Sequence, residues 1–287
     1  MIEGLKRSGR LLPMAQRIFQ EEGVPSVLVW IGQITSQWQP LTVNAGRVGV
    51  WQISPLLGKK YGLNQNEWID ERLSLEKSTR ATARHLKFLA ERYAGNWDLA
   101  IAAFFSDTTV IDNAITKSGY ADFWEIYKRD LLPIQTRDNL PNVLAVILIA
   151  QNPSKFGFHT AKDPPLKYDT ILLKESVDLR LLAAGCGVPY EYLAGLNPEL
   201  KRGLTPPILY GLRVPAGTGH LLVDFLQLIP PEKRVNWRVE IARQGDTFAT
   251  ISRRVGISEM ALIAVNGGVL KTGQKVLIPQ PTAKRRP

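Results

Sequence analysis

Residues 238–279 read RVEIARQGDTFATISRRVGISEMALIAVNGGVLKTGQKVLIP, and the order of textures within them sets the fold. Arg238 to Ala242 is strand-like. Phe248 to Val255 and Ser258 to Val265 have helical spacing, with Ser258 a good N-cap, and Gln274 to Pro279 closes the unit as a strand. Turn residues join these pieces: Gln244-Gly245-Asp246-Thr247 after the first strand and Asn266-Gly267 after the second helix. The same order occurs upstream, with strands at Tyr168 to Leu173 and Leu209 to Val214 and short helices at Asp178 to Cys186 and Pro189 to Leu196. The chain therefore holds two β-α-α-β units as a degenerate tandem repeat, with Gly217 to Trp237 as connector. Before Pro164-Pro165 the texture is helical. Leu75 to Tyr93 has Ser74 as N-cap, Ala81, Leu86, Leu89, Ala90 and Tyr93 at helical spacing, and Gly95 as a stop, while Asp98 to Phe105 and Asn142 to Gln151 are apolar enough for buried helices. No alternating run there demands a strand, so an all-α domain ending near Phe158 is the expectation.

These readings give an α+β chain with domains at 1–160, 165–216 and 237–280, a connector at 217–236 and a basic, Pro-flanked tail at 281–287 that is expected to be disordered. Its 287 residues, 45% hydrophobic and 22% charged, exclude a collagen-like, disulfide-stapled or largely disordered chain. The net charge of +10 is uneven: from Glu232 to Pro287 there are 11 basic and 4 acidic residues, an excess of +7 in the last 56. Such an end admits an anionic polymer, a membrane surface or nucleic acid as partner. Cys186 is the single cysteine, so neither an intrachain disulfide nor a thiolate metal site is possible, and it reads as a small buried hydrophobe. His85, His159 and His220 are too dispersed for a metal site, and no cofactor is expected. The longest apolar run, Val143 to Ala150, is far short of the ~20 residues of a membrane span. Met1 to Pro13 carries Lys6, Arg7 and Arg10 with no apolar stretch behind them, which predicts no export signal in this sequence.

The second repeat, with its Gly245-Asp246-Thr247 turn, Asn266-Gly267 and closing Thr272 to Pro279, resembles a LysM module. The resemblance implies a shallow groove for N-acetylglucosamine between the loop after the first strand and the loop before the last, mapping to Gly245, Asp246, Thr247, Phe248, Asn266 and Gly267. The first repeat keeps Leu196-Asn197-Pro198-Glu199-Leu200 and Leu212-Arg213-Val214-Pro215 but lacks the Gly-Asp-Thr turn, so it is a structural relative.

The helical part resembles the lytic transglycosylases of the goose-lysozyme-like superfamily, here called the SLT domain, from about Leu12 to Phe158. The matching stretches, in the right order, are Glu21-Glu22-Gly23-Val24-Pro25, Gly49-Val50-Trp51-Gln52-Ile53-Ser54-Pro55, Tyr61-Gly62-Leu63, Asp70-Glu71-Arg72, Trp97 to Ala103, Phe123-Trp124-Glu125 and Asn152 to Phe158. In that family the catalytic acid is a Glu in a Glu-Ser-x-Phe motif. Ser36, Trp38 and Pro40 hold its register here, so Thr35 stands at the acid's position, and no carboxylate occurs between Glu22 and Glu67. Protonating a glycosidic oxygen and then withdrawing a proton from the muramyl 6-hydroxyl requires a group with a tunable pKa, which a threonine hydroxyl is not. Two further groove motifs differ. Ala102-Ala103-Phe104-Phe105-Ser106-Asp107-Thr108-Thr109 replaces Ala-Ala-Tyr-Asn-x-Gly-x-Gly, and Gln135-Thr136-Arg137-Asp138-Asn139-Leu140-Pro141 replaces Glu-Thr-x-x-Tyr-Val-Pro.

The resemblance thus implies a glycan-binding protein of the bacterial periplasm or cell envelope with no catalytic residue, whose former groove retains Ser36, Gln52, Phe104, Phe105 and Asn139. Trp30, Trp38 and Trp51 flank that groove, as core or as sugar-stacking faces. Peptidoglycan or a chitin-like glycan is the implied partner, with anionic envelope polymers or another cell-wall enzyme as further ones. Nucleic acid is not expected, since no recognition motif accompanies the charge. The alternatives are an active transglycosylase using Glu21, Glu22, Glu67, Asp70 or Glu71 as its acid, and a basic polyanion binder.

Overall fold

The computed structural model describes residues 1–279 and, at Gln135, the backbone alone; the tail expected at 281–287 lies outside the described residues. The chain divides into two compact units, Met1–Gln65 with Glu71–Leu166, and Asn66–Asp70 with the chain from Lys167 onward.

The first unit is helical. Its elements are α1 (Ile2–Glu21), a 3-10 turn (Ser26–Trp30), α2 (Ile31–Ser36), β1 (Val43–Asn44), β2 (Arg47–Val48), α3 (Pro55–Lys60), α4 (Leu75–Arg92), α5 (Trp97–Phe105), α6 (Thr108–Ser118), α7 (Phe123–Lys128), α8 (Ile134–Arg137) and α9 (Asn139–Gln151). Helix α5 is buried from Leu99 to Ala103 and packs on α4, α6, α7 and α9, because a helix apolar on every side can only be stable as the centre of a core. Asn96 caps it by accepting from the Leu99 amide at 3.1 Å. Trp30, Trp38 and Trp51 are at most 4% exposed and meet edge to face at 5.9 and 5.8 Å, so all three are core residues. The β1–β2 hairpin departs from the all-α expectation. Its two-residue turn, Ala45-Gly46, has φ of 46° and 77°, and strands of two residues leave no alternation to read in sequence.

The second unit contains both repeats. Strand β3 (Tyr168–Leu173) is followed by α10 (Leu179–Gly185), α11 (Tyr190–Leu196) and β4 (Tyr210–Pro215), which pairs antiparallel with β3 from Tyr168↔Pro215 to Leu173↔Tyr210. The expected connector forms α12 (Gly219–Gln227) and a 3-10 turn (Pro231–Lys233). Then come β5 (Trp237–Ile241), α13 (Phe248–Val255), α14 (Glu259–Asn266) and β6 (Lys275–Pro279), with β5 and β6 antiparallel from Trp237↔Pro279 to Ile241↔Lys275. Ser258 caps α14 as its sequence position predicts. The two repeats share one hydrophobic core in which Leu182, Leu212, Leu222, Trp237, Ile251 and Leu262 are buried together. Helix α12 lies close against α10: a β-carbon at Gly185 would come within 2.5 Å of Phe225 and 2.6 Å of Leu222, so only glycine admits this approach without a shift. Among the described residues no helix is long and apolar enough to cross a membrane.

Candidate functional site

The end of α2 and the β1–β2 hairpin hold the first set of expected site residues. Gln37 and Trp38 both have positive φ, 52° and 62°, which turns the chain sharply away from α2 just after Thr35. The half-buried Thr35 Oγ1 lies 2.6 Å from the Val50 carbonyl oxygen and 3.1 Å from that of Ile31, so its hydroxyl proton is directed onto backbone and ties α2 to the segment after the hairpin. Gln52, at φ 51°, donates from Nε2 to the carbonyls of Gly49 at 2.8 Å and Thr42 at 3.1 Å, closing the same loop. Ser36 is buried and bonds back to the Gly32 carbonyl at 3.3 Å. Thr35 and Gln52 therefore brace the loop, whereas Ser36 bonds within α2.

Phe104 and Phe105 meet edge to face at 5.2 Å at the end of α5. Phe104 contacts His85, whose ring stacks on Phe88 at 6.3 Å and whose Nδ1 lies 3.2 Å from the Tyr61 hydroxyl. Burial, with a smaller contribution from the Lys60 charge, pushes the His85 pKa down to about 4, so it is neutral near pH 7. Burial also raises Tyr61. No local pattern in sequence joins Tyr61, His85 and Phe104; only the packing of α4, α5 and the turn after α3 does. Asp107 becomes the N-cap of α6 and accepts from the Thr109 amide at 2.9 Å, which holds its carboxyl below its ordinary value. A capped helix start thus occupies the stretch where the resemblance expects a Gly-x-Gly turn. Asn139 is half-buried at the start of α9.

The carboxylates that the sequence offers as alternative acids are bound to cations or amides. Arg80 and then Arg17 hold Glu21 below its usual value. Burial raises Glu22, but the guanidiniums of Arg84 and Arg80 outweigh it and the carboxyl again ends low. Glu71 accepts from the Asn64 amide at 2.8 Å and pairs with Lys77, and Glu67 pairs with Arg202. A general acid working near neutral pH needs the opposite shift.

In the second repeat, Gly245 (φ 84°) and Gly267 (φ 82°) form the exposed turns of the two loops, with no atom within 4 Å of a β-carbon placed on either. Asp246 Oδ2 accepts from the Arg243 amide at 2.8 Å, and Thr247 caps α13 in a capping box with Thr250. Two of the six expected residues face elsewhere. Phe248 is 5% exposed in the core. Asn266 Nδ2 donates to Leu262 O and Leu277 O, both at 3.0 Å, and its Oδ1 accepts from Leu277 N at 2.7 Å, so its amide fastens α14 to β6. Gly245, Asp246, Thr247 and Gly267 are left to offer backbone and short side chains to a ligand.

The first repeat uses the corresponding loop differently. Asp178 caps α10, its amide donates to Arg234 O at 2.8 Å, and its Oδ2 accepts from Trp237 N at 2.9 Å. Val177 is fully buried and Glu175 pairs with Arg234. The connector and the start of β5 therefore cover this loop. Among the described residues no cluster of His, Cys, Asp or Glu could hold a metal ion.

Comparison with known families gives three matches along the chain: Transglycosylase SLT domain over residues 14–127, the LysM-like domain of lytic transglycosylase MltD over 167–230, and LysM domain over 241–279. The chain is 27% identical to membrane-bound lytic murein transglycosylase D of Escherichia coli K12, over 93% of its own length and 63% of that protein's. It is 36% identical over 55 residues, 19% of this chain and 27% of the relative, to a putative tributyltin chloride resistance protein of Alteromonas sp. strain M-1. Among solved structures, an inactive mutant of the lytic transglycosylase Slt of Pseudomonas aeruginosa matches 53% of this chain and 25% of its own, with TM-score 0.43 and 19% identity. The 70 kDa soluble lytic transglycosylase of Escherichia coli matches 48% and 24%, with TM-score 0.41 and 18% identity. Stretches matching an SLT domain, a LysM-like domain of the MltD type and a LysM domain thus follow one another in a single chain, which is similar to lytic murein transglycosylase D over 63% of that protein's length.

Proposed function

We propose that this chain binds peptidoglycan, or a similar glycan containing N-acetylglucosamine, through its second LysM-type module, and that its SLT domain is catalytically silent and serves as a cell-wall scaffold or regulator in the bacterial envelope. The observation that carries the silent reading is Thr35: at the register of the family's acid stands a hydroxyl directed onto the Val50 carbonyl at 2.6 Å. The low pKa of Glu21 and Glu22, each held by guanidiniums, argues against a substitute acid among them. For the glycan, the exposed turns at Gly245 and Gly267 let a sugar approach the backbone closely, and Asp246 and Thr247 add oxygen atoms for hydroxyl and acetamido groups. The covered loop of the first module supports a single glycan groove rather than two.

The test is incubation of the full chain with purified sacculi, with sedimentation for binding and mass spectrometry for 1,6-anhydromuropeptides. The chain is expected to co-sediment and to release no anhydro product. Thr35→Glu is expected to bind equally and to remain inactive, because the Phe104-Phe105 and Asp107 to Thr109 stretch is altered as well. Gly245→Val is expected to weaken sedimentation by about tenfold, since a β-branched side chain both strains the positive φ and obstructs the sugar. Anhydro products from the unaltered chain that disappear on mutation of a Glu or Asp would overturn the silent reading and leave the binding reading standing.

A further inference from the structure

Among the described residues the second LysM-type sheet has two strands, and β5 meets only β6 along its length. The direction of each β5 amide follows from the bonds around it. Leu277, opposite Val239, directs its N–H and C=O to the side chain of Asn266, away from β5, so the Val239↔Leu277 pair exchanges no backbone bonds. On the other side of the alternation, Ala242 N donates to Gln274 O. Trp237, Val239 and Ile241 therefore present N–H and C=O to the outer edge. At Trp237 both groups are taken, the N–H by Asp178 Oδ2 at 2.9 Å and the C=O by Arg180 Nη1 at 3.1 Å. At Val239 and Ile241 no partner occurs among the described residues, and their side chains are 56% and 65% exposed.

Two adjoining clefts run along this edge. One, of about 450 Å³, is lined by residues including Arg180, Arg202, Trp237, Arg238 and Val239; the other, of about 570 Å³, continues from Arg238 and Val239 to Arg243. The carboxylates beside these guanidiniums are Asp178, which is 3% exposed and pairs with Arg180, Glu67, which pairs with Arg202 at 2.6 Å, and Glu240, which is held by Arg238 and Arg254. Arg180, Arg202, Arg238 and Arg243 thus border an open strand edge: the first three are ion-paired to Asp178, Glu67 and Glu240, and among the described residues Arg243 has no ion pair, which leaves the edge with a net positive charge.

We infer that the outer edge of β5 is a docking strip for an acidic, extended polypeptide segment of a partner protein. An alternating donor and acceptor with a two-residue period is complemented by another main chain, and Val239 with Ile241 offers apolar contacts to side chains on the same face. The arginines select acidic sequence. They also oppose pairing with a second copy of β5, which would bring like charges together. The strip involves none of the residues assigned to the glycan groove, so the two readings stand or fall separately.

The test uses the full chain and a fluorescein-labelled ten-residue peptide of alternating Glu and Val, followed by anisotropy. Three controls accompany it: the Lys/Val counterpart, a peptide N-methylated at every Val, and one N-methylated at every Glu. The acidic peptide is expected to bind, more weakly as salt rises, and the Lys/Val peptide to bind at least tenfold more weakly. Methylation at Val, whose N–H would face Val239 and Ile241, is expected to weaken binding by about tenfold or more; methylation at Glu, whose N–H would face solvent, is expected to leave it within about twofold. Val239→Pro removes an outward N–H and no ladder bond, so it is expected to fold and to bind about tenfold more weakly. The inference is overturned if the acidic peptide does not bind at millimolar concentration, if both methylated peptides behave alike, if the Lys/Val peptide binds as well, or if sedimentation shows self-association through this edge that Val239→Pro abolishes.

Discussion

Asn197 follows the second helix of its module and Asn266 ends that of the other, and each engages the same three backbone groups. Asn197 Nδ2 donates to Leu193 O at 3.0 Å and Arg213 O at 2.7 Å, and its Oδ1 accepts from Arg213 N at 2.9 Å, just as Asn266 does with Leu262 and Leu277. A short amide is the side chain that can both donate to and accept from one strand residue at this distance. Asn266→Ala is therefore expected to lower stability by about 2 kcal/mol, since it leaves the half-buried backbone N–H and C=O of Leu277 without their partner. Urea denaturation checks this, and a loss below ~0.5 kcal/mol would show the bonds to be replaceable by water. The first module adds a buried ion pair, in which Arg213 Nη2 meets both carboxylate oxygens of Glu199, that the second lacks at the matching strand position, where Leu277 stands. His85 supplies a pH dependence. Its pKa is about 4 in the fold against an ordinary value of 6.5, so between these values the unfolded chain binds the proton first. Stability is then lost as pH falls from 6.5 toward 4, by an amount on the order of 3 kcal/mol. His85→Gln should flatten that part of the profile, measured as thermal midpoints from pH 7 to 4; an unchanged slope would exclude His85 as its source.

At the scale of elements, the hairpin before α3 shows how position outweighs propensity. Gly49 has φ 83°, and a β-carbon there would lie 2.7 Å from the Arg72 carbonyl oxygen, a backbone atom that cannot swing aside. Arg72 in turn donates from Nη1 to Gly46 O at 2.9 Å and Ile53 O at 3.2 Å, so hairpin and turn hold each other. Gly49→Ala should cost about 2–3 kcal/mol through strain and clash combined, and should raise hydrogen exchange in 42–53 more than elsewhere. Uniform loss of protection would instead indicate that the hairpin opens only with the whole unit. The long helices and the strands of the repeats were legible because their signals are local: apolar spacing in α4, Ser258 ahead of α14, and β-branched residues in β3. The hairpin was not, because its conformation depends on contacts with Arg72, twenty-three residues beyond Gly49.

At the scale of the whole molecule, the second unit behaves as one body built from two repeats. Arg234 bonds the carbonyls of Ile229 at 2.9 Å and Leu226 at 2.8 Å, and its Nη1 pairs with Glu175, which secures the connector to the first module. Trp237 then enters the shared core at 2% exposure, its indole donating to Lys233 O at 2.8 Å. Independent modules on a flexible linker would melt separately. Here Leu222→Ala, which removes a fully buried side chain of the connecting helix, is expected to cost about 3 kcal/mol and to destabilise β3–β4 and β5–β6 equally in native-state hydrogen exchange. Loss confined to one sheet would mean that the shared core is not cooperative.

The sequence by itself determined the longer helices of the first unit, the strands and helices of the tandem β-α-α-β order, and the residue at each position of the recognised motifs, because periodicity, caps and turns act over a few neighbours; the β1–β2 hairpin and helix α12 lay outside that reach. Its resemblance to known motifs is what sets Thr35 against the register expected of an acid, and its turn residues place the glycines at the two loops of the second module. The tertiary structure alone decided what those residues touch. It turned Phe248 and Asn266 inward and covered the matching loop of the first module with Arg234 and Trp237. It also gathered Tyr61, His85 and Phe104, and left the Val239 and Ile241 edge open. Those outcomes depend on burial and on hydrogen-bond partners far apart in the chain, and such partners exist only once the core has formed.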